Sequence, residues 1–163
     1  MAICSAAMVT LMLMLETTGR DACNAQVLHW WRVGLLVLTH YPDAQAMYLF
    51  GSFGTEREWP DSDVDIALLL PPVTAKQTGT LVMSELRFRL EQQFKKTVDL
   101  INLRQVSTVF QHEIIQEGRV LFAADAEAVR CFEMMVLSAY QKLNDERREI
   151  LQAFLHTKRA YAV

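Results

Sequence analysis

Basic residues are too few in this chain for a broad nucleic-acid surface. Its 163 residues include 16 Lys and Arg against 19 Asp and Glu, which gives a formal net charge of −3. Proteins that bind nucleic acid along an extended face usually carry a clear excess of cations there. We therefore expect no broad nucleic-acid binding, although a small basic patch is compatible with this charge balance.

Cysteine is also scarce. The three cysteines, Cys4, Cys23 and Cys131, are odd in number and far apart, and no Cys-x-x-Cys pattern is present. This spacing excludes a disulfide framework and the common zinc motifs. Free thiols are typical of a reducing compartment, so we expect a cytoplasmic protein.

No apolar run is long enough to span a membrane. The longest, residues 1–15, falls short of the roughly 20 residues that a transmembrane helix needs. No Lys or Arg precedes Arg20, so the basic start of a signal peptide is missing. We expect an N-terminal helix packed on the domain or a partner, or a true start at a later methionine, and no membrane association.

The most informative stretch contains two apolar runs that read as buried strands. The first, residues 46–50, is broken by Gly51 and Ser52, and the second covers residues 66–70. Asp63 and Asp65 lie just before the second run. The pattern therefore predicts a Gly-Ser turn at the end of one strand and paired carboxylates at the start of the next.

The paired carboxylates require a cation. In a strand, Asp63 and Asp65 share one face because side chains alternate. Two carboxylates about 4 Å apart repel by roughly 4 kcal/mol at an effective dielectric of 20. All-oxygen sites of this kind suit Mg²⁺, which binds one or two carboxylates together with phosphate oxygens. Gly51 allows close backbone approach, and Ser52 before a helix could hold a phosphate, so we interpret the stretch as a metal–nucleotide site.

The chain has Gly51-Ser52, then ten residues, then Asp63 and Asp65 with one residue between them. This spacing resembles the signature of the polymerase-β-like nucleotidyltransferases, and the short chain resembles their minimal (MNT) branch. That superfamily takes a third carboxylate from a later strand, and Asp99 fits within residues 97–101. The resemblance implies an α/β (α+β) fold, a small mixed sheet flanked by helices with a long C-terminal helix.

The resemblance also implies roles for these residues. Gly51 and Ser52, with Asp63 and Asp65, would bind the nucleotide, and ATP would be the substrate. Asp63 and Asp65 would hold two Mg²⁺ ions. Asp99 would bind the catalytic ion and help to deprotonate the acceptor hydroxyl. Asp61 is interpreted as a turn residue rather than a ligand.

Apolar periodicity predicts four helices, covering residues 23–40, 81–96, 108–117 and 125–158. Ser107 is expected to cap the third helix and Gly118 to end it. A short helix or turn is expected within residues 53–62, a loop over residues 71–79 and a last short strand over residues 120–122.

The C-terminal part extends the resemblance. Residues 107–118 and 140–147 are similar to the MNT antitoxins of bacterial toxin–antitoxin pairs. That family uses ATP and Mg²⁺ to attach AMP to a tyrosine of a HEPN-type ribonuclease toxin, with which it forms a hetero-oligomer. We divide the chain into an apolar extension (1–20), a nucleotidyltransferase domain (21–124) and a partner-docking helix (125–163), which at about 45 Å is longer than a small domain requires.

Two alternatives to a protein adenylyltransferase are open. Glu56 occupies a position where many relatives have glycine, and an extra anion there would favour an antitoxin that acts by binding alone. Arg57 could supply positive charge to the triphosphate or pair with Glu56 or Glu58, and we expect the ion pair. A small-molecule enzyme of the aminoglycoside-modifying type is the other alternative, although such enzymes usually carry a further domain for the sugar.

Overall fold

A four-stranded mixed sheet organises the fold. The computed structural model describes residues 22–157. The strands are β1 (Ala46–Phe50), β2 (Val64–Leu69), β3 (Val98–Asn102) and β4 (Arg119–Ala123), in the spatial order β3-β2-β1-β4. β1 is antiparallel to both β2 and β4, whereas β2 and β3 are parallel. The parallel pair places the beginnings of β2 and β3 at the same edge of the sheet.

Within residues 22–157, five α-helices connect and cover the strands. They are α1 (Ala22–His40), α2 (Pro72–Thr78), α3 (Glu85–Phe94), α4 (Thr108–Glu117) and α5 (Ala126–Thr157). A 3₁₀ turn over Leu103–Gln105 follows β3. α2 and α3 form the crossover between the parallel strands, as parallel neighbours require.

The sheet is buried on both faces. Helices α1, α2 and α3 pack on one face, where Val64, Ile66 and Leu100 are buried. Helices α4 and α5 pack on the other face against Tyr48 and Ala67. Residues of β1, β2 and β3 therefore alternate between two cores, and the exposed Asp99 interrupts this burial on the face of α4 and α5.

Most elements agree with the sequence predictions. The strands over residues 46–50 and around Asp99, the helices over residues 23–40 and 108–117, and the long C-terminal helix are all present. Ser107 caps α4, since its hydroxyl accepts a hydrogen bond from the Phe110 N–H. The last strand is longer than predicted.

Two predictions for the segment after β2 were wrong. The expected loop over residues 71–79 contains α2, which begins at Pro72 because proline is well suited to the first turn of a helix. The helix expected from residue 81 begins only at Glu85, after a turn, because Ser84 caps it through the Arg87 N–H. The predicted extension over residues 1–20 lies outside the described residues. Between residues 22 and 157, no helix is both long and apolar enough to cross a membrane.

Candidate active site

Asp63 and Asp65 lie at the start of β2. Asp65 is the second residue of the strand and Asp63 directly precedes it. Val64 and Ile66 are fully buried in the core formed with α1 and α3. By alternation, Asp63 and Asp65 face the opposite side, the same side as Ala67 and helices α4 and α5.

Asp99 lies directly beside Asp65. In the parallel register of β2 and β3, Asp65 is the partner of Asp99. The neighbours Val98 and Leu100 are buried in the core on the other face. Adjacent strands are about 4.8 Å apart, so Asp65 and Asp99 point from the same face at close range. The structure thus brings together the three carboxylates that the sequence singled out.

The closeness of the three acids affects the pKa of Asp65. Burial raises the pKa of Asp65 above its ordinary value, and the charges of Asp99 and Asp63 raise it further. Each effect disfavours the carboxylate form. The three acids therefore concentrate negative charge at this edge of the sheet.

The donor set suits a hard divalent cation. Nowhere in the described part of the chain do three His, Cys, Asp or Glu side chains converge tightly enough to hold a metal ion by themselves. Mg²⁺ does not require such a cage, because it is usually bound by one or two carboxylates plus phosphate oxygens and waters. Asp63, Asp65 and Asp99 offer oxygen ligands and mutual repulsion that a cation relieves, so they fit Mg²⁺ delivered with a nucleotide.

Gly51 brings the turn after β1 against the carboxylates. Its φ of +72° lies in the left-handed region that favours glycine. A Cβ atom at this position would lie 2.0 Å from Oδ2 of Asp65. Phe50, the last residue of β1, is paired with Asp65 across the antiparallel ladder. The Gly-Ser turn and the carboxylate on β2 are therefore in direct contact.

Ser52 is oriented by the other end of the loop. Its hydroxyl donates a hydrogen bond to Ser62 Oγ at 3.1 Å, and Ser62 Oγ also accepts the Trp59 N–H at 2.9 Å. Of the short helix or turn expected after Ser52, the structure has turns. They are closed by hydrogen bonds from Thr55 N to Ser52 O and from Glu58 N to Thr55 O. Phosphate binding by Ser52 at a helix N-terminus was thus a wrong expectation, whereas its nucleotide contact stays a prediction.

Glu58, and not Glu56, is the acid that engages the loop. The Glu58 carboxylate accepts the Gly54 N–H at 2.8 Å and pairs with Lys96 Nζ at 2.9 Å. Within residues 22–157, Glu56 and Arg57 form no ion pair, so the expected pairing of Arg57 was wrong. Lys96 was missed because it lies 38 residues from Glu58, and no local pattern marks it.

A cleft of about 570 Å³ opens beside Asp63. Of the three carboxylates, only Asp63 lines it, so the cleft adjoins the candidate site and does not contain it. Residues from the end of the loop and from the α3–β3 junction line it, namely Pro60, Asp61, Ser62, Asp63, Glu91, Lys95, Lys96 and Thr97. Asp61 lies in a turn, as predicted.

The family profile described as polymerase beta, nucleotidyltransferase, matches residues 36–127, which include the whole site. The chain belongs to this nucleotidyltransferase family. It is 31% identical over 116 residues to protein adenylyltransferase MntA of Shewanella oneidensis strain MR-1, covering 71% of this chain and 80% of that relative. The predicted family and fold are confirmed.

Solved structures agree with the sequence relationship. A chain in a crystal structure of a toxin–antitoxin with AMP-PNP superposes on this nucleotidyltransferase with a TM-score of 0.61 and 26% identity, over 77% of this chain and 98% of the other. A chain in the complex of tri-AMPylated S. oneidensis HEPN toxin with MNT antitoxin gives a TM-score of 0.59 and 27% identity, over 80% and 98% of the two chains. The match spans nearly the full length of these relatives.

Proposed function

We propose that this nucleotidyltransferase is a cytoplasmic antitoxin that transfers AMP from ATP to a tyrosine of a cognate HEPN toxin and thereby neutralises it. The proposal rests on one observation: Asp65 and Asp99 are neighbours in the parallel register of β2 and β3, and Asp63 lies on the same face. The naming of one relative as a protein adenylyltransferase and the AMPylated toxin in a related complex support the substrate and the partner.

The reaction is an in-line displacement at the α-phosphorus of ATP. The tyrosine oxygen forms a new P–O bond to that phosphorus, the bond between the α- and β-phosphoryl groups breaks, and pyrophosphate leaves with its electron pair. The proton of the tyrosine hydroxyl passes to the Asp99 carboxylate and then to solvent. Positioned proton acceptors of this kind typically accelerate such reactions about 10²–10⁴-fold.

The remaining residues bind and orient the nucleotide. Gly51 lets the backbone of the turn approach the phosphates, and Ser52 faces the same loop with its hydroxyl held by Ser62. Asp63, Asp65 and Asp99 would hold two Mg²⁺ ions. Bound Mg²⁺ would neutralise charge on the phosphates and lower the pKa of the acceptor hydroxyl.

A second candidate function is neutralisation by binding alone. Three large apolar side chains on α5 are strongly exposed, with exposed fractions of 70% for Met134, 54% for Met135 and 44% for Leu137. Methionine-rich surfaces adapt well to partners. A toxin held on this surface could be blocked without AMP transfer, which keeps residues 125–163 as the proposed docking segment.

The two functions are separated by one experiment. The purified protein is incubated with ATP, Mg²⁺ and the HEPN protein encoded beside it, and the intact mass of that protein is measured. We expect a gain of one or more AMP units with wild type and none with the Asp63→Asn, Asp65→Asn double variant. If the double variant still protects cells from the toxin as well as wild type does, neutralisation by binding is the correct function.

A further inference from the structure

The Glu58 carboxylate joins two segments that are distant in sequence. Its Oε2 accepts the Gly54 N–H at 2.8 Å, while its Oε1 lies 2.9 Å from Lys96 Nζ. The Lys96 side chain is 25% exposed and the Glu58 side chain 30% exposed, although Glu58 as a whole residue lies at the surface. One carboxylate therefore makes two contacts, one with a backbone N–H and one with an ammonium group.

The two ends of this bridge lie on the two halves of the candidate site. Gly54 is two residues beyond Ser52, in the turn that contacts Asp65. Lys96 is three residues before Asp99. It follows Lys95, which ends α3 in a left-handed conformation with φ of +54° and directs the chain toward β3. The bridge thus connects the nucleotide turn to the strand that bears the third carboxylate.

The same loop is supported from behind by Phe53. The Phe53 ring packs edge-on against Phe94 and Trp30, with ring centroids 5.8 Å and 6.4 Å away. Lys96 Nζ lies 5.2 Å from the centre of the Phe53 ring, and Arg119 donates a long hydrogen bond of 3.4 Å to the Phe53 carbonyl. These aromatic rings belong to the core on the face opposite the carboxylates. The supports therefore leave the front of the turn free for a nucleotide.

We propose that Glu58 and Lys96 are positioning residues for ATP. The bridge fixes the Gly51-Ser52 turn relative to Asp99, so that the backbone that approaches the phosphates is already ordered before ATP binds. An ordered loop loses less conformational entropy on binding, which raises affinity without new contacts. Glu58 does not line the cleft beside Asp63, whereas Lys96 does, and we assign the positioning effect to the contact between them. This inference rests on ATP being the substrate, as proposed above.

The test measures the affinity for AMP-PNP with Mg²⁺ by calorimetry, on full-length variants and below the Tm of each one. Glu58→Gln keeps an acceptor for Gly54 but loses the ion pair, whereas Glu58→Met loses both. We expect the Kd to rise about threefold for Glu58→Gln and about tenfold for Glu58→Met and Lys96→Met. Lys96→Arg keeps the charge and is expected to remain within twofold of wild type.

A matched control separates positioning from general stabilisation. Glu85 pairs with Arg89 on the exposed side of α3, so Glu85→Gln also removes an ion pair, but one away from the loop. We expect it to bind AMP-PNP like wild type. A folded Glu58→Met protein with a Kd within twofold of wild type would overturn the positioning role alone. A wild-type protein that does not bind AMP-PNP would instead overturn the proposed ATP substrate and this inference with it.

Enzyme kinetics add a second readout. With the toxin as acceptor, Glu58→Met is expected to raise the KM for ATP about tenfold and to leave kcat at saturating ATP within twofold of wild type. A merely structural ion pair would lower the amount of folded protein without changing the KM of the remainder. A tenfold loss in kcat with an unchanged KM for ATP would contradict the positioning role.

Discussion

Gly51 and Asp65 are in such close contact that no side chain fits between them. An added Cβ at Gly51 would lie 2.0 Å from Asp65 Oδ2, and the backbone φ of +72° independently disfavours any other residue. The glycine of the turn is therefore required by the carboxylate on the neighbouring strand. The two halves of the sequence pattern, the Gly-Ser turn and the Asp-x-Asp pair, therefore meet in one contact.

Gly51→Ala is expected to damage both stability and nucleotide binding. The left-handed backbone alone costs about 1–2 kcal/mol for a residue with a Cβ, and displacement of Asp65 adds to that cost. Denaturant unfolding and AMP-PNP binding check this. Gly79→Ala is the control for backbone strain alone, because Gly79 has φ of +62° and ψ of −130° but nothing within 4 Å of its would-be Cβ. AMP-PNP binding by Gly51→Ala as tight as by Gly79→Ala would show that the contact with Asp65 is unimportant for the nucleotide.

Asp65→Asn is expected to stabilise the metal-free protein at neutral pH while abolishing AMP transfer. Burial, Asp99 and Asp63 raise the pKa of Asp65 above the ordinary 3.8. The folded state binds a proton on the Asp65 carboxyl more tightly than the unfolded state does. The stability that this proton contributes is therefore full below pH 3.8 and is lost as the pH rises through the raised pKa. Asparagine does not ionise, so the Asp65→Asn protein does not lose stability in this way.

Thermal unfolding in EDTA checks this prediction. The Tm of Asp65→Asn should exceed that of wild type at pH 7, and the difference should shrink as the pH falls toward 4. Added Mg²⁺ with nucleotide should stabilise wild type more than the variant. A variant that is less stable than wild type at pH 7 in EDTA would show that the carboxylates do not repel one another.

The Tyr48 hydroxyl is expected to hold α5 on the sheet. Tyr48 is buried on β1 and donates a hydrogen bond to Glu133 Oε1 on α5 at 3.0 Å. Burial and the Glu133 carboxylate raise the pKa of Tyr48, so the hydroxyl keeps its proton. Hydrogen bonds to charged groups contribute about 1.5–3 kcal/mol, and Tyr48→Phe should destabilise the protein by roughly this amount in urea unfolding.

Tyr140→Phe provides the comparison. The Tyr140 ring stacks on His112 at the α4–α5 seam, with centroids 3.8 Å apart, and the variant keeps that ring. Its hydroxyl takes no part in a hydrogen bond between described residues, so a change within about 0.5 kcal/mol is expected. A Tyr48→Phe protein as stable as Tyr140→Phe would show that the Tyr48 hydroxyl does not stabilise the packing of α5 on the sheet.

The strands and the carboxylates could be predicted from sequence because their signals are local. Apolar runs bounded by Gly51-Ser52 and by Pro71 define β1 and β2, and alternation then fixes which face Asp63 and Asp65 share. The neighbouring strand with Asp99 followed from an equally short apolar run. In each case, a few consecutive residues carry the pattern.

The errors arose where one residue type permits two structures. Pro72 was interpreted as the end of a strand and the start of a loop, yet proline is also favourable in the first turn of a helix, and α2 begins there. For residues 53–62 the sequence allows a short helix or a turn, and the structure has turns because Gly54 adopts φ of +69°, which a helix cannot accommodate.

The loop supports could not be predicted because they depend on tertiary structure. Glu58 meets Lys96 only after β2 and β3 have paired, and the two residues are 38 positions apart. In the sequence, Glu56 stands out because of its position relative to the Gly-Ser turn. The turns of the loop decide which of the two acids, Glu56 or Glu58, reaches Lys96. The sequence has no strong local signal for these turns.

The most direct test of the central claim compares Asp99→Asn with Asp43→Asn for AMP transfer to the HEPN partner, followed by intact mass. Asp43 precedes β1 at the end of the strand remote from Gly51, so its variant controls for loss of one carboxylate. We predict that Asp43→Asn adds AMP like wild type, whereas Asp99→Asn still binds the partner but transfers AMP at least about 100-fold more slowly. Transfer by Asp99→Asn at the wild-type rate would contradict a catalytic site built from Asp63, Asp65 and Asp99.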